Sequence, residues 1–475
     1  TPAEPFLIHV ISVMPDGRYA AIYSAPGAGS NALSIIDLQD PSWTPRPVIE
    51  TYRQKWFVAG NQGPQFFLST DQGAERGKIV TVDLAAAEPR FTDLVDERDD
   101  ATLNDASLLG GRLLVTWLVD AKTEIRRYLP NGTPDGTVAL PGIGTAGGFC
   151  GHPDDDEAFF IFTGYDAPTT IYHYDIASRH LEVWARPEVA IDLSRIAVEQ
   201  RFYQSKDGTR IPIFVVCRAD ARAPAPTVLY GYGGYGISML PYYSPAVLAW
   251  VEAGGAYAVA NLRGGGEYGR AWHDAGRLAN KQNVFDDFIA AAEYLKSEGI
   301  ASADGLAIQG ESNGGLLGAA VTNQRPDLFA AALPGVGVMD MLRFARFTGG
   351  QFWIGDYGDP AKEADFRNLL SYSPYHTIRP GTPYPAILVT TADTDDRVVP
   401  AHSFKYVAAL QAAGLGDRPR ILRVDKRAGH GAGKPTGKAI DELADLWAFA
   451  AHWTGLDYAS ALRTLLRPMS WDQAI

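Results

Sequence analysis

Short runs of apolar and β-branched residues, separated by Gly, Asp and Pro, fill residues 1–192, and helical spacing is almost absent there. This pattern predicts an all-β region. One strand-like run recurs every 46 residues, at Asp37, Asp83, Leu129 and Asp175. A period of about 40 to 50 residues with several strands per unit is typical of β-propeller blades. We therefore predict about four blades, with a β-sandwich of accidental spacing as the alternative.

The pattern changes at about residue 193, where short apolar runs begin to alternate with segments of helical spacing. Such alternation predicts a doubly wound, mostly parallel sheet covered by helices on both faces. One helix is predicted from the apolar stripe formed by Val284, Phe285, Phe288, Ile289, Ala292 and Leu295. The predicted strands are 211–216, 227–230, 256–261, 306–309, 386–391 and 420–424.

A candidate nucleophile lies between a predicted strand and a small-residue helix. Residues 306–315 read Leu-Ala-Ile-Gln-Gly-Glu-Ser-Asn-Gly-Gly and contain Gly-x-Ser-x-Gly, with Ser312 at its centre. In a chain with 49 glycines among 475 residues, the motif alone is weak. Its position between strand and helix is that of the nucleophile elbow, so we predict that residues 193–475 form an α/β-hydrolase catalytic domain.

A serine nucleophile needs a histidine base, which follows it in the chain of an α/β-hydrolase. Of the four histidines after Ser312, His430 lies in a loop of glycines and alanines behind a predicted strand. We predict that it is the base. The other three are interpreted as structural; they are His376, His402 and His452.

The acid that orients the base should lie just after the preceding strand. Asp393, Asp395 and Asp396 all follow the run 386–391. Spacing alone leaves these three open, and two of them are expected to be solvated charges or caps.

Several segments of the second half closely resemble the prolyl oligopeptidase family of serine peptidases. Among them are Ser-Asn-Gly-Gly-Leu-Leu after the elbow and Asp-Asp-Arg-Val-Val-Pro after the predicted strand. The full set of matching segments is 229–234, 261–269, 280–283, 312–317, 323–329, 395–400 and 428–436.

The resemblance implies roles for individual residues. It selects Asp395 as the catalytic acid, and the hydroxyl of Tyr232 with the backbone N–H of Asn313 as the oxyanion hole. It implies that Arg397 binds a substrate carbonyl; the alternative is that Arg397 is an ion-pair partner of its neighbouring aspartates. A proline pocket is implied around the flat face of Trp353, with Tyr235, Val338, Tyr357 and Val398 beside it.

Two residues depart from the family pattern, and the first half is short. Glu311 replaces a frequent glycine before the serine, and Thr394 stands where histidine is frequent. Family members carry a seven-bladed propeller that covers the site and admits short peptides. With room for about four blades in residues 1–192, we expect the N-terminal blades to be absent and the chain to be part of a longer product.

The net charge of the chain limits the classes of partner that it is expected to bind. The formal net charge of −13 disfavours nucleic acid and anionic membranes, and no apolar run is long enough to span a membrane. We expect a soluble protein, cytoplasmic or periplasmic, that is a monomer when complete and uses no metal or cofactor. Cys150 and Cys217 are too few for a disulfide framework, and both are expected to be buried.

These observations predict a serine endopeptidase that hydrolyses short peptides after proline through an acyl-enzyme. Short proline-containing peptides are the expected partners. The alternatives are a related oligopeptidase or esterase with another specificity, or an inactive propeller-bearing binding module.

Overall fold

The structure is a computed structural model that describes residues 7–27, 29–431 and 433–458. The chain forms two compact units. The first comprises Thr1–Ala190, Gly234–Tyr243 and Arg263–Arg277. The second comprises Ile191–Gly233, Ser244–Leu262 and Leu278–Ile475. Two segments within the range predicted as the hydrolase domain therefore belong to the first unit.

The first unit is built from four antiparallel sheets of four strands, each made of consecutive strands. The first sheet contains β1 to β4: Ile8–Val13, Tyr19–Ala25, Ala32–Asp37 and Arg46–Ile49. The second contains β5 to β8: Trp56–Gln62, Gln65–Thr70, Lys78–Asp83 and Thr92–Val95. The third contains β9 to β12: Thr102–Leu109, Arg112–Val119, Lys122–Tyr128 and Pro134–Val138. The fourth contains β13 to β16: Thr145–Gly151, Glu157–Gly164, Ala167–Asp175 and Leu181–Ala185.

The 46-residue repeat corresponds to the third strand of each sheet. Asp37, Asp83 and Asp175 end β3, β7 and β15, and Leu129 directly follows β11. Apolar side chains of neighbouring sheets share cores, as when Leu33 and Ile35 of the first sheet cluster with Phe66 of the second. A repeat that buries its apolar face only against its neighbours is the arrangement of propeller blades. This unit is the predicted β-propeller domain.

The first strand of the first blade is exposed along its whole length. Among the described residues, β1 pairs with β2 alone, and four of its side chains are large, apolar and exposed: Ile8, Val10, Ile11 and Val13.

The two cysteines lie in different surroundings from those expected. The expectation that both are buried was wrong, because Cys150 is exposed and Cys217 only partly buried.

The second unit contains one eight-stranded sheet with the order β17-β18-β20-β19-β21-β22-β23-β24. β17, β18 and β20 pair antiparallel, and every pair from β20 through β19 to β24 is parallel. The strands are Ile196–Gln204, Arg210–Arg218, Ala225–Tyr230, Ala256–Ala260, Ala301–Glu311, Ala331–Gly335, Ala386–Ala392 and Arg420–Asp425, for β17 to β24 in chain order.

Helices connect most of the parallel strands, as expected for a doubly wound sheet. In chain order, α1 to α8 are Pro245–Glu252, Arg270–Asp274, Gln282–Ser297, Asn313–Gln324, Ile354–Tyr357, Glu363–Tyr372, Ala401–Ala412 and Thr436–Thr454. Of these, α2 belongs to the first unit. Short 3₁₀ helices occur at Leu193–Arg195, Leu278–Asn280, Pro326–Leu328, Phe344–Arg346 and Gly350–Trp353.

All six predicted strands of the second half are present, and two more were missed. β22 reads Ala-Ala-Leu-Pro-Gly, a composition that lacks the β-branched and aromatic residues by which strands are recognised. Its backbone forms a strand because β21 and β23 flank it on both sides. The predicted helix is α3, and its stripe is buried except for the half-buried Ile289.

No helix in the described part of the chain is both long and apolar enough to cross a membrane. The same residues contain no group of three or more His, Cys, Asp and Glu side chains that could hold a metal ion.

Candidate functional site

Ser312 lies at the turn between β21 and α4. Its backbone has φ of 58° and ψ of −115°, a conformation that a residue with a side chain adopts only under strain. The turn is held by a hydrogen bond from the N–H of Ser312 to the carbonyl of Gly335, 2.9 Å long, on the neighbouring strand β22. The predicted elbow is therefore present, and its strain presents the serine at the carboxyl end of the sheet.

The two glycines of the motif are required by close backbone contacts. A Cβ on Gly310 would lie 2.3 Å from the carbonyl oxygen of Gly314, and one on Gly314 would lie 2.7 Å from that of Gly231. Any side chain would displace the turn at these positions. The motif is thus a packing requirement as well as a sequence signature.

His430 and Asp395 are joined by a hydrogen bond of 2.6 Å between Nδ1 and a carboxylate oxygen. The Asp395 side chain is fully buried, whereas the His430 side chain is 15% exposed. The other carboxylate oxygen of Asp395 accepts the N–H groups of Arg397 at 3.0 Å and Val398 at 2.9 Å. Three donors thus fix this carboxylate, and the carboxylate fixes the ring.

The two neighbouring aspartates are exposed. Asp393 accepts the N–H of Arg427 at 2.6 Å, and the hydroxyl of Thr394 donates to the carbonyl of Ala428 at 2.7 Å. Both contacts hold the loop that carries His430. Of the three carboxylates left open by spacing, Asp395 is the one that contacts the ring.

The other histidines lie in different surroundings. His402 is buried and accepts the N–H of Asp340 through Nδ1 at 3.1 Å, and burial lowers its pKa to about 4. The Nδ1 of His376 lies 2.8 Å from the hydroxyl oxygen of Ser373. His452 lies exposed on α8.

The phenol of Tyr232 lies close to the side chain of Ser312. Burial, and then the nearby carboxylate of Asp356, raise the pKa of Tyr232, so the phenol stays protonated and able to donate near neutral pH. Asn313 is the first residue of α4, where backbone N–H groups have no partner within the helix. Of the two predicted oxyanion donors, Asn313 thus directly follows the serine and Tyr232 lies close to its side chain.

The predicted pocket residues divide by exposure. Trp353 is half-buried, whereas Val338, Tyr357 and Val398 are almost wholly buried. The Trp353 ring stacks on Phe344 with 6.3 Å between centroids and 16° between planes. Phe344 thus packs against one face of the Trp353 ring.

Phe344 also contacts the ring of Tyr357 edge to face, at 5.4 Å. Tyr235 lies in the first compact unit, so the structure does not bring it into the unit that holds the other pocket residues.

Arg397 is exposed, and its charge lowers the pKa of the Tyr232 phenol, a smaller effect than the burial that raises it. Among the residues that the structure describes, no ion pair joins Arg397 to Asp395 or Asp396. The alternative that Arg397 only neutralises its neighbours is therefore not favoured.

The departure at Glu311 adds charge beside the elbow. Its carboxyl lies among Glu442, Lys434 and His430, and the pKa of Glu311 is raised first by desolvation and then by Glu442. Lys434 is in turn paired with Asp425 at 3.1 Å.

Two family models match the chain, one in each half. The family model described as "Prolyl oligopeptidase family" matches residues 241–457, and "Prolyl oligopeptidase, N-terminal beta-propeller domain" matches residues 1–187. The chain belongs to the prolyl oligopeptidase family. Both of its units correspond to domains of that family.

Two members of the prolyl oligopeptidase family illustrate how much of the chain is matched. A prolyl endopeptidase of Elizabethkingia miricola is 41% identical over 449 residues, which are 94% of this chain and 63% of that protein. A prolyl oligopeptidase A of Amanita bisporigera is 37% identical over 470 residues, covering 95% of this chain and 61% of that protein. The chain thus spans less than two thirds of the length of these relatives.

Solved structures of the prolyl oligopeptidase family superimpose on it. A structure from a study of two prolyl endopeptidases has a TM-score of 0.91 at 41% identity and covers 95% of this chain and 67% of that one. Prolyl oligopeptidase B of Galerina marginata, bound to a 35mer hydrolysis and macrocyclization substrate, has a TM-score of 0.91 at 33% identity, with coverage of 96% and 66%.

Two residues near the site were not anticipated from the sequence, and a third has another role than catalysis. Phe344 supports Trp353, and Lys281 is hydrogen-bonded to the side chain of Asn313 at 3.1 Å. Asp393, one of the three candidate acids, braces the histidine loop. The sequence did carry a signal for Lys281, since it lies in the segment 280–283 that resembles the prolyl oligopeptidase family. Phe344 had no such signal, because its role depends on which loops meet.

Proposed function

We propose that this chain belongs to a serine endopeptidase that hydrolyses short peptides on the carboxyl side of proline through an acyl-enzyme. The observation that carries the proposal is the bond of 2.6 Å between His430 and the buried carboxylate of Asp395, in the same unit as the strained elbow of Ser312. A binding module needs neither a buried acid against an imidazole nor a strained serine.

In the proposed reaction, Nε2 of His430 takes the proton of Ser312 as the hydroxyl oxygen attacks the carbonyl carbon. Asp395 accepts the N–H at Nδ1, which leaves Nε2 free to act as the base and stabilises the imidazolium that forms. The same imidazolium then protonates the leaving amine. Water, activated by His430, hydrolyses the ester and releases the new carboxyl group.

Charge develops on the carbonyl oxygen during both steps. The Tyr232 hydroxyl and the Asn313 N–H are the proposed donors to that oxygen. The raised pKa of Tyr232 keeps its proton available over the neutral and mildly alkaline range.

Proline selectivity is proposed to come from the half-buried ring of Trp353, held flat by Phe344. A pyrrolidine ring stacks on such a face, while Val338 and Val398 supply an apolar wall without a carboxylate. An apolar pocket of this kind disfavours a basic side chain. Arg397 is proposed to bind a substrate carbonyl.

The test compares hydrolysis of Gly-Pro-, Gly-Ala- and Gly-Arg-linked reporters by the purified chain. We expect the proline reporter to have the highest kcat/KM, and Ser312→Ala to abolish both hydrolysis and labelling by a fluorophosphonate. Labelling without hydrolysis of any peptide reporter would favour the esterase alternative. Absence of labelling in the folded chain would contradict the proposal altogether.

A further inference from the structure

The side chain of Lys281 ends inside the protein, directly behind the serine turn. The residue is 1% exposed. Its ammonium donates to the carbonyl of Gly233 at 2.8 Å and to Oδ1 of Asn313 at 3.1 Å. The ring of Tyr357 lies 5.5 Å from the same nitrogen.

These bonds determine the orientation of the Asn313 amide. Oδ1 accepts from Lys281 and from the hydroxyl of Tyr357 at 2.9 Å. Nδ2 donates to the carbonyl of Tyr232 at 2.5 Å. An ammonium can only donate and a carbonyl can only accept, so the amide has one satisfied orientation.

The same network holds the turn that carries Tyr232. The carbonyl of Tyr232 is bonded by Asn313, and the carbonyl of the next residue, Gly233, is bonded by Lys281. Two consecutive peptide groups are thereby fixed. The side chain of Tyr232 leaves the backbone at this point and reaches Ser312.

A lysine in this position lowers the stability of the folded chain. Burial lowers the pKa of Lys281 to about 8, although the nearby carboxylate of Asp356 opposes the shift. Enclosing a cation without a direct carboxylate partner destabilises a folded chain, and an apolar side chain would pack there at lower cost. The hydrogen bonds to the Asn313 side chain and to the carbonyl of Gly233, the residue after Tyr232, give this side chain a role that packing does not require.

We propose that Lys281 is a positioning residue that aligns the two donors of the oxyanion hole, the Tyr232 hydroxyl and the Asn313 backbone N–H. It contacts neither the serine nor the substrate. Its effect is exerted through the Asn313 amide and the Gly233 carbonyl. This inference rests on the proposed peptidase function.

The test uses Lys281→Met, which keeps the length of the side chain and removes its donors. The matched control is Lys296→Met in helix α3, the helix that begins directly after Lys281; its ammonium donates to the carbonyl of Leu328 at 2.6 Å. Because a displacement of about 1 Å at a reacting group can lower the rate about 100-fold, we expect kcat to fall about 10- to 100-fold in Lys281→Met. KM should change less than about threefold, since the hydrogen bonds of Lys281 go to Gly233 and Asn313 and not to Trp353, on which the proline ring is proposed to stack. Lys296→Met should retain wild-type kinetics.

A second readout separates alignment from general damage. An N-acyl-Gly-prolinal forms a hemiacetal with the serine and places its oxygen in the oxyanion hole, whereas the corresponding prolinol fills the same pocket but cannot be attacked by the serine and forms no hemiacetal. Lys281→Met should lose affinity for the aldehyde by about the factor lost in kcat and keep its affinity for the alcohol. A merely structural role would weaken both ligands together.

The outcomes are distinguishable. A wild-type chain that hydrolyses no proline reporter contradicts the proposed function, whereas an active wild type with unchanged kcat and aldehyde affinity in Lys281→Met overturns the role of Lys281. Equal losses for aldehyde and alcohol also overturn it. If Lys281→Met does not fold, Lys281→Leu, which also removes every donor, carries the same measurements, and wild-type kcat in that variant overturns the inference.

Discussion

Among three aspartates within four residues, the surroundings of each side chain decide its chemistry. Asp395 is buried against the imidazole, while Asp393 accepts backbone N–H groups of the histidine loop. We expect Asp395→Asn to lower kcat by about 10⁴-fold, because the amide cannot hold the ring in the tautomer that acts as a base.

Asp393→Asn is the matched control for this change. It keeps an oxygen that can accept the N–H of Arg427, so kcat should fall less than about tenfold. Steady-state kinetics of both variants checks the assignment. A larger loss in Asp393→Asn than in Asp395→Asn would show that the acid is misassigned.

The half-exposed ring of Trp353 gives a second prediction. Stacking on an aromatic face contributes about 0.5 to 1.5 kcal/mol beyond area burial. Trp353→Ala should therefore lower kcat/KM for a proline reporter about 2- to 12-fold more than for an alanine reporter. Trp184→Ala, which removes an exposed tryptophan of β16 in the propeller unit, should affect neither. Equal losses for both reporters would mean that Trp353 is only packing.

Glu311 gives a prediction about pH. Its raised pKa means that the carboxylate forms at a higher pH than usual and, once formed, lies near His430. An anion there favours the protonated imidazole, which is the inactive form of the base. Removing the charge in Glu311→Gln should therefore shift the acidic limb of the kcat/KM profile to lower pH, by less than about one unit.

The profile is to be compared with that of Glu363→Gln, whose exposed side chain pairs with Arg367 on α6. A shift of the acidic limb to higher pH in Glu311→Gln, or the same shift in both variants, would contradict the electrostatic explanation.

At the scale of single elements, β1 is a strand whose apolar side chains are exposed rather than buried. Apolar residues on both faces of β1 are exposed, and one edge of the strand has no partner strand among the described residues. Such an edge favours pairing with another chain. We expect the 475-residue chain to self-associate with increasing concentration, and Ile11→Lys to reduce this association.

Light scattering against concentration measures the effect. Ile440→Lys also replaces an exposed isoleucine, this one on α8 of the second unit, and should leave the association unchanged. If both variants reduce scattering equally, net charge rather than the β1 edge controls it.

On the scale of the whole molecule, a propeller accompanies a hydrolase domain whose triad is proposed to attack any accessible peptide bond after proline. Restricted access to the active site is then the expected reason why peptides are selected by length. In the form with a complete propeller, we expect peptides beyond about 30 residues to resist cleavage even where proline is accessible.

The measurement is a digestion of an unfolded, proline-containing protein, followed by mass spectrometry. A tryptic digest of the same protein contains the same prolyl bonds in short peptides and serves as the control. Efficient cleavage of the intact unfolded chain would contradict selection by size.

The sequence by itself determined what depends on local pattern. The 46-residue step located the third strand of every blade, and Gly-x-Ser-x-Gly located the elbow, because blade repeats and tight turns need particular residues at fixed spacings. His430 could be selected in the same way, from its glycine-rich loop. The resemblance of the segment 395–400 then indicated Asp395.

Tertiary structure decided what depends on neighbours distant in sequence. β22 is a strand because two strands flank it, and Lys281 is buried because the turn at Gly233 and the start of α4 meet above it. The segments 234–243 and 263–277 belong to the first unit although their chain neighbours belong to the second. None of these follows from local composition, since each is set by contacts between residues 24 or more positions apart, where propensity and periodicity carry no information.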